Sequence, residues 1–147
     1  MTPFKFSLQR LLELRAAAER LRGADLGQAL AAERAREAAS LASREQLERV
    51  HDQGESAHPT AAGLHHVWEL TSAAARARVA ADAAALDAAT EDRDDALARL
   101  HEAQQARKSL ERLRERQVDA WAVDAGRAEQ AEQDEIARQR AHNREES

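Results

Sequence analysis

The run HDQGESAHPTAAG, residues 51–63, decides the fold. It gathers Gly54, Pro59 and Gly63, and nowhere else in the chain are helix breakers concentrated. Proline inside a helix costs roughly 3 kcal/mol, through its missing N–H and the clash of its ring with the preceding turn. Both flanks are rich in helix formers, so the run marks a reversal between two helices. The expected order is a first helix over about residues 4–51, a turn over about 52–60, a second helix over about 61–141 capped by Thr60, and a frayed tail over 142–147. All of it forms a single domain, 1–147. At 1.5 Å per residue the two arms would span roughly 70 Å and roughly 120 Å if straight.

Composition leads to the same fold. The chain has 147 residues, of which 3% are aromatic and 33% charged, so no large aromatic set exists to fill the centre of a compact globule. About a quarter of the residues are Ala, and with Leu, Arg, Glu and Gln they dominate; all are strong helix formers with little rotamer entropy to lose. Strand formers are nearly absent. The expected fold is all-α: a long, rod-like, antiparallel two-helix coiled-coil hairpin with the second helix longer than the first.

A turn centred near Ala57 makes facing positions sum to about 115, which brings Leu8, Leu11, Leu14 and Leu21 opposite the region of Leu97, Leu100 and Leu110. The Ala-rich stretches 24–42 and 73–89 then face one another. The expected seam runs through Leu11, Leu14, Ala18 and Leu21 on one arm and Leu64, Val67, Thr71 and Ala74 on the other, at spacings of 3 and 4. Between Gly23 and Gly27 the Leu stripe changes phase, so a stutter and a local bend are expected there. The second arm outlasts the first by about thirty residues, from roughly Glu115 onward, and a lone helix of that length is marginal in water. This overhang carries Val118, Trp121, Val123 and Ile136 and calls for a partner.

Several function classes are disfavoured. The chain has no Cys, which removes disulfides, thiolate metal sites and Cys nucleophiles and suits a reducing compartment. Neither a phosphate-binding glycine loop nor a nucleophile elbow occurs. Net charge is −5 and acids alternate with the bases, so no basic face for nucleic acid is expected. No apolar run approaches the ~18 residues of a membrane span, and the charged start lacks the apolar stretch of a signal peptide. His58, His65 and His66 cluster by the turn without a completing carboxylate pattern, and read as solvated residues. Asp94 with Asp95, and Asp134 with Glu135, read as solvated charge for want of a pocket to shift their pKa values. No enzyme activity, cofactor or metal is expected.

Three segments carry a resemblance. FKFSLQRLLELR at residues 4–15, LERLRERQ at 110–117 and RAEQAEQDEIARQR at 127–140 resemble the FliJ family of flagellar type III export proteins. The Gly-Pro turn in the first half and the overall length are similar as well; the Ala-rich middle is generic and lacks the aromatics some members carry near the turn. The resemblance implies a cytoplasmic protein, peripheral at the inner face of the inner membrane through the export apparatus, similar to the central stalk of rotary ATPases. Its implied partners are the hexameric flagellar export ATPase, whose assembly it promotes, the export gate in the membrane, and export chaperones that it escorts. By the same resemblance the ATPase contacts are Phe4, Phe6, Leu8, Arg10, Arg116, Gln117, Arg127, Glu129, Gln130, Asp134 and Glu135. The turn-proximal residues Leu47, Val50, Trp68 and Val79 are assigned to the gate or chaperones. The alternatives are an injectisome stalk protein of the same family and a purely structural coiled coil.

Overall fold

A computed structural model describes residues 3–56 and 62–145. Two helices account for nearly all of them: α1, Gln9–Ser56, and α2, Ala62–Glu145, of 48 and 84 residues. They pack against each other, the second is the longer, and no strand occurs among the described residues. The expected turn tip, with His58, Pro59 and the Thr60 cap, lies outside the described residues.

Both ends of α1 differ from expectation. It starts at Gln9 because the chain ahead folds inward to bury Phe6, and the Phe6 carbonyl accepts the Gln9 amide at 3.1 Å. It continues through residues 52–56, where the sequence pattern predicts the turn. Gly54 breaks nothing there, because its missing Cβ serves a contact: any Cβ at that position would lie inside the Trp68 indole. The Nε1 side of the ring lies against the α1 backbone at Gly54, and its Nε1–H donates to the Val50 carbonyl at 3.1 Å. The helix also passes Gly23 and Gly27 without interruption, and no described residue has positive φ.

The chain divides into two units, residues 20–102 and residues 1–19 with 103–147. In the first unit, the inward residues of α1 repeat at seven: Leu26, Glu33, Ser40, Leu47 and Gly54, interleaved with Ala29, Ser43 and Val50. On α2 the matching series are Trp68, Ala75, Asp82, Ala89 and Ala96, and Ser72, Val79, Leu86, Arg93 and Leu100. In the second unit Leu8, Leu12, Ala16 and Glu19 meet a face of α2 that includes Ala103, Arg107, Leu110 and Leu113.

These series correct the expected seam. Leu14 and Leu21 are each 60% exposed and Leu64 is 64% exposed; Leu11, Ala18, Val67, Thr71 and Ala74 face outward with them. The repeat does not stutter at Gly23–Gly27. The apparent phase change arises because Leu11, Leu14 and Leu21 belong to an outer stripe, whereas Leu26 and Leu30 belong to the seam.

The register also shifts. Glu19 meets Arg107, Glu33 meets Thr90 and Arg93, Asp82 meets Ser43, and Phe4 meets Trp121, pairs whose numbers sum to about 125. The displacement follows from α1 running helically to Ser56, which moves the reversal along the chain. Residues 24–42 therefore face a stretch beginning well beyond Ala73, and the part of α2 that outlasts α1 starts after Trp121. From residue 122 to 144 only Ala125 is not exposed.

The seam is unusually polar. Its buried residues include Glu33, Ser40, Ser43, Ser72 and Asp82 alongside Phe6, Val50, Ala89 and Ala96. Every fully shielded side-chain N or O atom among the described residues has a hydrogen-bond partner, as a low-dielectric interior requires.

Candidate docking surface

Within the unit that holds both chain ends, the lead segment before α1 lies across α2. Phe4 packs on Trp121 with ring centres 6.2 Å apart and planes inclined at 58°, the tilted arrangement that aromatic quadrupoles favour. Phe6 is buried and Leu8 half-buried. Phe4, Lys5, Phe6 and Gln9 border a shallow depression with Arg114 of α2. Ser109, Arg112, Glu115 and Arg116 border a second one on α2. Exposed Lys5 and Arg114 thus border the same depression as Phe4 and Phe6, and a charged rim beside a partly open aromatic side chain is an arrangement common at protein interfaces.

One charge cluster in this unit is structural. Arg107 donates to Glu19 across the helices and to Glu111 at 2.6 Å along its own helix. Glu19, then Glu111, raise the Arg107 pKa further above its ordinary value by stabilising the cation.

The residues assigned to the ATPase separate into three groups. Phe4, Phe6 and Leu8 lie in or beside the aromatic contact, with Arg10 exposed on the first turn of α1 and Gln117 half-buried beside exposed Arg116. Arg127, Gln130 and Asp134 recur at three and four residues and share a face of the bare part of α2, where the Gln130 amide donates to Asp134 at 3.0 Å. Glu129 and Glu135 lie off that face, and Glu135 pairs with Arg138 at 3.3 Å. Lys5, Gln9, Arg114 and Trp121 also belong to this surface. The signal for them was register: a sum near 125 sets Phe4 beside Trp121, whereas a sum near 115 does not.

The turn-proximal residues point elsewhere. Val50 is 5% exposed, Leu47, Trp68 and Val79 are half-buried, and all four occupy seam positions. Leu64, Val67 and Leu70 are the apolar side chains that reach solvent there. His65 stacks on Trp68 with centroids 6.1 Å apart and its Nε2 lies 3.2 Å from Glu69. Among the described residues no group of three or more His, Cys, Asp or Glu is placed to hold a metal. None of the helices is long and apolar enough to cross a membrane, again among the described residues.

Fold and surface together define an all-α, antiparallel two-helix coiled coil with an exposed helical extension beside an aromatic contact. Residues 4–146 match the family described as flagellar FliJ protein, and the chain belongs to it. At the level of that family it is a component of the flagellar export apparatus. No curated relative and no solved structure matches it.

Proposed function

We propose that this protein is a non-enzymatic, stalk-like element of the flagellar export apparatus. It docks the end bearing Phe4, Trp121 and the bare part of α2 into the hexameric export ATPase, promotes assembly of that ring and connects it to the export gate. The observation that carries the reading is the stretch 122–144, a helix with almost no covered residue, which begins directly after the Phe4–Trp121 pair. A helix so exposed gains most of its tertiary stabilisation from a receptor. Arg127, Gln130 and Asp134 provide polar contacts for such a receptor, and Phe4, Phe6, Leu8, Arg10, Arg116 and Gln117 form its base, with Glu129 and Glu135 on the flanks.

Near the turn the gate or chaperone contact falls on Leu64, Val67 and Leu70. Leu47, Val50, Trp68 and Val79 support that face from within. The protein then works in the cytoplasm, held peripherally at the inner membrane through its partners, and escorts export chaperones from there.

The test is stimulation and co-purification of the cognate ATPase. Full-length chain raises the ATPase rate, a chain ending at Trp121 does not, and joint charge reversal, Arg127→Glu with Asp134→Arg, weakens co-purification. Equal stimulation by the truncated chain overturns the docking assignment.

A further inference from the structure

Two polar layers lie inside the seam where a coiled coil ordinarily places Leu or Ile. In the first, Glu33 on α1, 9% exposed, accepts a hydrogen bond from Thr90 Oγ1 at 3.3 Å and pairs with Arg93 Nη1 at 3.3 Å, both on α2. In the second, Asp82 on α2, 7% exposed, accepts from Arg78 Nε at 2.9 Å. The Ser43 hydroxyl of α1 donates to the Ser40 carbonyl at 3.0 Å and lies near enough to Asp82 to favour its charged form, as does the charge of Arg36 of α1. The remaining seam between these layers is mostly Ala and Ser, whose small side chains hold alternative alignments almost equally well.

We propose that Glu33, Arg93 and Asp82 are positioning residues that select one register of α1 against α2, and that this selectivity is why the seam retains buried charge. The reasoning is geometric. Sliding one helix by a heptad in either direction replaces Arg93 opposite Glu33 with Leu86 or with Leu100, stranding a carboxylate among apolar groups with no donor. Sliding in the direction that brings Leu100 to Glu33 also sets Asp82 against Val50 in place of Ser43. A parallel pairing of two copies aligns Glu33 with Glu33 and Asp82 with Asp82, so like charges meet in the seam. The Ala and Ser positions penalise none of these errors.

The chain lacks Cys, so two introduced cysteines report the register cleanly. Spin labels at Ala38→Cys and Ala73→Cys, both exposed and offset along the axis, give one distance in the full chain. Replacing the layers with apolar side chains, Glu33→Leu, Asp82→Ala and Arg93→Leu together, is expected to raise the melting temperature while splitting the distance distribution. The new populations should lie up to ~10 Å away, the axial length of one heptad. The exchanged pair, Glu33→Arg with Arg93→Glu, is expected to restore a single distance. A single unshifted distance in the apolar variant overturns the proposal, as does a split distribution in the exchanged pair.

Discussion

Gly54→Ala is the perturbation that the packing of α1 on α2 makes most informative. Alanine ordinarily stabilises a helix interior by about 1 kcal/mol over glycine. At Gly54, however, the new Cβ falls within the indole of Trp68 and the ring has to leave the α1 backbone. Forced repacking of this kind costs about 1–3 kcal/mol, and losing the indole bond to the Val50 carbonyl removes about 0.5–1.5 kcal/mol more. Position 54 lies two residues from the end of α1, where the propensity gain is reduced. The net expectation is destabilisation of about 1–3 kcal/mol. Gly23 and Gly27 supply internal controls, since a Cβ at either meets nothing within 4 Å. Alanine at each should stabilise by about 0.5–1 kcal/mol. Urea unfolding followed by far-ultraviolet circular dichroism gives the stabilities, and Trp68 emission in a Trp121→Phe background reports whether the ring has moved. If Gly54→Ala stabilises as much as Gly23→Ala with unchanged emission, the account of the Trp68 contact is wrong.

Leu14→Ser should change stability by no more than about 0.5 kcal/mol, whereas Leu86→Ala should cost about 2 kcal/mol, near the low end for core truncation because Leu86 is half-buried. Denaturant midpoints decide between them, and the reverse ranking would reinstate the outer stripe as the seam. Arg78, then Ser43 and Arg36, hold the Asp82 carboxyl below its ordinary 3.8, so its stabilising effect is complete above that pH and disappears as pH falls through the lowered value. Asp82→Asn should therefore flatten the acid limb of a melting-temperature profile below about pH 4 and leave the alkaline limb unaltered. Phe4→Ala should red-shift Trp121 emission and lower stability by about 0.5–1.5 kcal/mol beyond the lost area, and unchanged emission would mean the rings do not meet in solution.

The two-helix architecture was legible from residues 51–63 and from composition, because nothing but helix suits a chain so rich in Ala, Leu, Arg and Glu. The seam was not. Leu11, Leu14 and Leu21 and the interleaved series through Leu26 and Leu47 both follow coiled-coil spacing, and hydrophobicity favours the first set. Packing chose the second, where Ser40, Ser43 and Ser72 permit close approach and Glu33 and Asp82 find donors. Buried polar residues with partners supplied by the other helix look like surface residues until the register is known. The register in turn depended on Gly54, which reads as a breaker in sequence and serves as a platform for an aromatic ring. Of the docking surface, Phe4 and Arg116 followed from the family resemblance, but the Phe4–Trp121 pair needed the register.

The bare part of α2 keeps its shape with help from within. Arg127 lies 3.5 Å from Asp124, Gln130 bonds Asp134, and Glu135 holds both Arg138 and Gln139, a ladder of contacts one turn apart. Each rung is worth only about 0.2–0.5 kcal/mol, and the two ion-pair rungs weaken in salt, yet fixing a residue's backbone from the coil costs about 1–2 kcal/mol. A segment already wound when it meets its receptor spares the encounter that ordering penalty. Its capture should therefore be fastest and firmest in dilute buffer, and become slower and looser as ionic strength screens the Arg127–Asp124 and Arg138–Glu135 pairs.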